Sequence, residues 1–261
     1  WHAHFFTSTG VSSKNGKGKF YTDFNKGALE YGGTIVDSNQ FAVNLLKSDS
    51  KVPEINLVDL GELIVKQLAT RRIPDPPPGA TKPYVLMKID IEGSETEVVP
   101  HLMETGAMNH VDVAMIEWHP HFETDPVRKQ AMISAREKLM KDYPNRIFDV
   151  DDESYGRSNE VLPECDGSPP KRTTTTTTTT TTPTTAAATL APENIFDGCY
   201  HVYLDVGSNV GIQVRKLFEG HLYPKAAILN YFDKYFGPEE QRQALSSHIC
   251  AVGFEPNPNH D

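Results

Sequence analysis

Four short segments of this chain hold residues whose types and spacing suit chemistry. The first is Asp205-Val-Gly-Ser-Asn-Val-Gly211, which closes an apolar run beginning at Tyr200. Gly207 permits a sharp turn at the end of a strand, and Gly211 permits the following helix to pack closely on a sheet. Backbone N–H groups at such a strand-to-helix turn can meet a ligand. Asn209 stands where a dinucleotide fingerprint has its central glycine, which disfavours a pyrophosphate and hence a nicotinamide or flavin cofactor. Asp205, directly before the loop, suits a ligand with a cationic amino group. The second segment ends in Glu255, after Ile249-Cys-Ala-Val-Gly-Phe254. An acid at the tip of a neighbouring strand can accept hydrogen bonds from ribose hydroxyls. The third is Lys88-Ile-Asp-Ile-Glu-Gly93. On an extended strand Lys88, Asp90 and Glu92 would face one way. Alternating charges in an apolar strand call for pairing or for a function. A structural ion pair of Lys88 with Asp90 or Glu92 is one outcome and a catalytic group is the other. The fourth, Ile116-Glu-Trp-His-Pro120, would bring Glu117 or His119 beside Asp90.

Other chemistries lack their residues. There is no P-loop, no G-x-S-x-G and no Cys/His metal spacing. Neither His2 with His4 nor His119 with His121 adds a carboxylate at a diagnostic spacing, so no metal is assigned. A net charge of −10, with no basic run longer than Lys171-Arg172, argues against a nucleic-acid partner. No stretch approaches the roughly 20 apolar residues of a membrane span. Of the three cysteines, Cys250 reads as a small buried hydrophobe. Cys165 and Cys199 flank a threonine tract, and either pair as a disulfide or stand as unrelated thiols.

The elements that must position these residues alternate in type. Ala3–Thr9 and Lys19–Thr22 read as strands, with Lys14–Gly18 as a turn between them. Asp59 caps a helix using Leu60, Leu63, Ile64 and Leu68. Tyr84–Asp90 and Val111–Glu117 are apolar runs of the kind covered on both faces of a sheet. Between them Ser94-Glu-Thr-Glu97 has the form of a capping box and opens a helix through Val98, Val99, Leu102 and Met103. Asp125-Pro126 starts a helix reaching Asp142, and Arg146–Val150 reads as an edge strand. Downstream, Val210, Val214, Leu217 and Phe218 share a helix face, and Ile249–Glu255 is a further strand. The aromatic-rich stretch from Gly220 to Ser247 is an insertion, either a substrate lid or an extra packed helix. This alternation predicts an α/β fold with a doubly wound, largely parallel sheet.

Ten consecutive threonines, Thr173–Thr182, interrupt the order. Without apolar periodicity, residues 164–196 cannot offset their ordering entropy and read as an extended disordered spacer. It divides the chain into 1–163 and 197–261. Some thirty residues at ~3 Å each reach on the order of 90 Å, enough to join any two points of one globule. Proline-flanked threonine tracts resemble O-glycosylated stalks, a pointer towards a secretory or extracellular location. The start at Trp1-His-Ala-His reads as the interior of a strand, as in a piece or a processed form of a longer chain.

Read with the downstream segment first, these motifs resemble the FkbM family of S-adenosyl-L-methionine-dependent methyltransferases. Leu204–Gly211 is similar to the first family motif, including asparagine in place of the middle glycine, and Phe254-Glu-Pro-Asn-Pro258 to the second. Asn56-Leu-Val-Asp-Leu-Gly-Glu-Leu63 resembles the helix before the core strand. Lys88-Ile-Asp-Ile-Glu-Gly-Ser-Glu95 matches the most distinctive segment, and Ile116-Glu-Trp-His119 follows in place. The resemblance implies a class I methyltransferase fold, a seven-stranded mixed sheet with Rossmann-like winding. It implies methyl transfer to a hydroxyl of a sugar, glycan or other small molecule. Asp205, Gly207, Ser208, Asn209, Gly211 and Glu255 would hold the cofactor, and Asp90, Glu92 and His119 would serve catalysis, with Asp90 or His119 as base. The exchanged order implies a circular permutation or a fragment of a tandem array, with about one helix missing between Asp261 and Trp1. A catalytically silent binding or structural module on a glycosylated stalk is the competing expectation.

Overall fold

The computed structural model describes residues 2–22, 33–47, 52–80, 82–150 and 194–258. Trp1, the threonine tract with Cys165, most of the expected spacer and Asp261 lie outside the described residues. The chain begins with β1 (His2–Phe6), β2 (Thr9–Ser12), β3 (Gly16–Lys19), α1 (Gln40–Leu45), β4 (Glu54–Asp59) and α2 (Leu60–Leu63), which widens into a π-helical turn over Ile64–Leu68. Next come β5 (Val85–Ile89), α3 (Glu95–Glu104), β6 (Val113–Ile116), α4 (Pro126–Asp142) and β7 (Ile147–Asp149). Beyond the tract lie β8 (His201–Val206), α5 (Ile212–Phe218), α6 (Leu229–Phe236), α7 (Glu239–Ala244) and β9 (Ile249–Phe254).

Six strands form one sheet in the order β1-β9-β8-β5-β6-β7, and every neighbouring pair runs parallel. The segments on either side of the tract therefore share a sheet. β8 bonds to β9 on one side and to β5 on the other, and β1 adds to β9. The expected α/β architecture is present. The mixed, seven-stranded sheet is not found among the described residues, where no antiparallel strand joins the six. A second sheet, β2-β4-β3, pairs β4 parallel with β2 and antiparallel with β3. It meets the main sheet where the Thr9 N–H donates to the Glu255 carbonyl at 2.9 Å.

The two-residue repeat of the strands sorts their side chains between two cores. Val85, Met87, Ile89, Val202, Leu204, Val206, Val252 and Phe254 pack with α2, α3 and α4 on one face. Leu86, Tyr203, Ile249 and Ala251 pack with α5 and α6 on the other. Each fully buried Val, Leu or Phe contributes about 1.5–3 kcal/mol, so these two layers rather than any polar contact hold the strand tips in place. Asn194–Phe196, assigned to the spacer on composition, belongs to this packing: Phe196 is fully buried and Asn194 Nδ2 donates to the Gln67 carbonyl at 2.8 Å.

Several local expectations shift. Gly16–Gly18, read as part of a turn, are strand because β4 offers them an edge, and β3 ends at Lys19, where the second strand is expected to begin. Asn56–Asp59 is likewise strand, although Asp59 does cap α2, accepting from the Glu62 N–H at 2.8 Å. Asp125 caps α4 as its proline-led start predicts. Val210 is exposed rather than part of the buried face of α5. The Gly220–Ser247 stretch is packed structure, with Phe232 and Phe236 of α6 buried in the second core.

Cys250 is not a free core thiol. It forms a disulfide with Cys199, joining the segment before β8 to the start of β9 across 51 residues. In the chain-entropy account a loop of this length is worth about 4 kcal/mol. Cys199→Ala with Cys250→Ala is expected to lose most of that in chemical denaturation, with β8 and β9 still paired.

His201 supplies a pH dependence. It is buried, and its Nδ1 accepts the Tyr84 N–H at 3.1 Å, a bond only the neutral ring can make. Burial, reinforced by Arg71, lowers its pKa to about 4. The unfolded chain takes up a proton near pH 6.5 that the folded chain refuses. This contribution is complete above pH 6.5 and disappears as pH falls towards 4, an effect of about 3 kcal/mol at most. Replacing His201 with glutamine should flatten that part of the stability–pH curve.

Candidate functional site

In a parallel sheet, ligands sit beyond the carboxyl ends of the strands, where neighbouring strands send their helices to opposite faces. β8 leads into α5 on one face and β5 into α3 on the other. At their adjoining tips two of the four chemical segments meet.

The glycine loop after β8 is tied down on both sides. The N–H groups of Gly207 and Ser208 donate to the Phe254 carbonyl at 3.1 and 3.0 Å. Gly207 has φ +89°, and a Cβ there would lie 1.8 Å from the Asp90 carbonyl oxygen. Asn209 also takes a positive φ, +52°, and its Oδ1 accepts the Val210 N–H at 2.8 Å. Gly211 turns the chain at φ +74°. Phe5 of β1, 39% exposed, reaches across from the sheet edge against Gly211. Asn209 is exposed, whereas Ser208 is buried, its hydroxyl donating to the Asp205 carbonyl at 2.8 Å.

Asp205 is wholly buried. Its Oδ1 accepts from the Tyr203 hydroxyl at 3.3 Å, while Oδ2 is enclosed with no hydrogen-bond partner among the described residues. Burial raises its pKa to about 6, against the pull of Lys88. Glu255 lies at the tip of β9, across β8 from Asp90, and is also buried, with Oε1 accepting the Asn257 N–H at 2.7 Å.

The β5 side of this junction is charged. β5 stops at Ile89, so Asp90 and Glu92 stand on the turn beyond it and not on the strand. Lys88, in register with Asp205, pairs with Asp90 at 2.7 Å and is almost completely buried. The structural ion pair of Lys88 is thus realised, and it fixes one oxygen of Asp90 and leaves the other towards His119. Glu92 has φ +52°, held there by Thr34 Oγ1 and Asn39 Nδ2, which both donate to its carbonyl at 2.7 Å.

His119, 3% exposed, enters from beyond β6. Its Nδ1 lies 3.0 Å from Glu95 Oε1. Its Nε2 faces Asp90 Oδ1 at 3.8 Å, Glu92 Oε2 at 3.7 Å and Glu117 Oε1 at 3.6 Å. Burial alone would lower the His119 pKa, but Glu117, Glu95 and Glu92 raise it to about 11. Glu92 is pushed up to about 8, first by burial and then by Asp90, Glu95 and Glu117, with His119 opposing. Asp90 moves down: burial opposes ionisation, and Lys88 and His119 overcome it.

Asp90, Glu92 and His119 therefore converge, and Gly207 touches Asp90. Glu95 is a site residue that motif reading missed. Ser94 makes no capping hydrogen bond; the buried Glu95 carboxylate instead accepts from the Gly93 and Ile91 N–H groups at 2.8 and 3.3 Å and orients His119. A signal existed: Glu95 lies three and four residues before Val98 and Val99, an acid on the apolar face of its helix. Asn39 and Thr34 carry no such mark.

No protein-family model, curated protein or solved structure matches this chain. Among the described residues no helix is long and apolar enough to cross a membrane.

Proposed function

We propose that this chain is an S-adenosyl-L-methionine-dependent methyltransferase of the FkbM type, acting on a hydroxyl of a sugar or other small molecule. The observation that carries the reading is the junction of Gly207 with Asp90: the glycine loop and the charged turn, more than a hundred residues apart, meet backbone to backbone. The cofactor supplies an electrophilic methyl group on sulfur. The loop backbone, turned at Gly207 and Gly211, opens α5 beside the exposed Asn209, and the enclosed Asp205 Oδ2, without a hydrogen-bond donor among the described residues, fits a cationic amine. Glu255 stands one strand away, as ribose hydroxyls require. Methyl transfer is an in-line displacement, so alignment does most of the work, and the acceptor must also lose a proton. Asp90, Glu92 and His119 line the place where that proton leaves. The Cys199–Cys250 disulfide supports the secretory or extracellular lean of the threonine tract.

Calorimetric titration tests the reading. S-adenosyl-L-methionine is expected to bind with micromolar affinity, at least tenfold weaker after Asp205→Asn or Glu255→Ala, while NAD gives no heat. Glu92→Gln should leave cofactor affinity within a few-fold and lower turnover by about 10² or more. A folded protein that takes up no cofactor would instead support a silent binding module.

A further inference from the structure

Asp90, Glu92 and His119 bring one ligand atom each to within 4.8 Å of one another. Their carboxylates do not hydrogen-bond the imidazole. A nitrogen and a carboxylate oxygen drawn together by a hydrogen bond settle at about 2.9 Å; here His119 Nε2 stands 3.6–3.8 Å from three carboxylate oxygens at once. Two ligand atoms bound at about 2.1 Å to one ion and subtending ~120° lie roughly 3.6 Å apart. His119 is almost fully buried with this nitrogen aimed at the three acids, and Glu92 Oε2 beside it is enclosed without any hydrogen-bond partner among the described residues. The opposite ring nitrogen is fixed by the buried Glu95, the carboxylate–histidine arrangement that orients metal-binding imidazoles. Among the described residues Lys88 is the one lysine drawn into the cluster, and it is committed to the far oxygen of Asp90.

From this geometry we infer that Asp90, Glu92 and His119, with Glu117 beside them, form a binding site for a divalent transition-metal cation. Sequence spacing assigned no metal because the ligands come from two strand ends, 27 residues apart between Glu92 and His119. An imidazole among carboxylates suits Mn²⁺ or Zn²⁺ better than Mg²⁺ or Ca²⁺, which prefer oxygen alone. The site stands on its own residues. Only its use in lowering the pKa of a coordinated acceptor hydroxyl rests on the methyltransferase reading.

Metal-stripped, disulfide-intact protein titrated with Mn²⁺ or Zn²⁺, without S-adenosyl-L-methionine, gives the test. One equivalent is expected to bind, with excess Mg²⁺ a poor competitor. Glu92→Gln, close in shape and expected to fold, should weaken binding tenfold or more, and Glu95→Gln by 10- to 100-fold through the imidazole it orients. Circular dichroism checks that each variant is folded. Less than one equivalent at millimolar ion overturns the inference, as does affinity unchanged by Glu92→Gln. So does uptake abolished by His2→Ala, which would place the ion at His2 beside Cys199 and Cys250. Because no cofactor is present, failure here leaves the methyltransferase reading untouched, and failure to bind cofactor leaves this one.

Discussion

Gly207→Ala is expected to cost on the order of 4 kcal/mol or more, enough to abolish folding of a marginal domain. Two independent penalties act at this position. The φ of +89° is one that L side chains adopt with strain, costing about 1–2 kcal/mol. The new methyl would also lie 1.8 Å from the Asp90 carbonyl oxygen. That neighbour is backbone, and Asp90 is itself held by its N–H to the Val206 carbonyl at 2.9 Å, so neither side can give way without parting β8 from β5. Gly198 is the control. Its φ is +83°, nearly the same, but nothing lies within 4 Å of its added Cβ, so Gly198→Ala should cost only the strain. Equilibrium denaturation of the two variants separates backbone strain from collision. Equal losses would mean that the glycine loop does not rest on the tip of β5.

Glu95→Ala is expected to destabilise by about 3–5 kcal/mol. The change strands three buried groups together: the Gly93 and Ile91 N–H donors and the His119 ring. Glu95→Gln keeps the shape and one acceptor oxygen, and should recover a large part of the loss. The histidine ¹⁵N spectrum gives a second readout, because His119 freed from Glu95 no longer holds its ring towards Asp90, Glu92 and Glu117. A loss below about 1 kcal/mol for the alanine variant would show that Glu95 is solvated and does not position the imidazole.

These two residues also mark how far the sequence can be read. Gly207 was legible because a glycine between an apolar run and a helix has few other uses, and the family resemblance, read with the downstream segment first, implied one sheet from both sides of the tract. The central strands were legible because β5, β6, β8 and β9 are nearly continuous apolar runs, the pattern of strands covered on both faces. Glu95 was obscured by Glu97, which satisfies the capping-box spacing while pointing elsewhere: it pairs with Arg128 at 3.0 Å. The strand character of Gly16–Gly18 and Asn56–Asp59 comes from pairing of Gly16–Lys19 with Glu54–Leu57 and of Asn56–Asp59 with Thr9–Ser12, long-range contacts that local propensity does not contain. The disulfide partner of Cys199 was misjudged for the same reason. The register of β8 with β9 brings Cys250 opposite Val202, near Cys199, and no spacing rule anticipates that.

The most direct test of the account is a crystal structure with S-adenosylhomocysteine bound. The ligand is expected over Gly207, its ribose towards Glu255 and its sulfur facing the Asp90–Glu92–His119 cluster, with both segments of the chain in one site. Ligand bound against only one segment, or well away from the tips of β8 and β5, would contradict it.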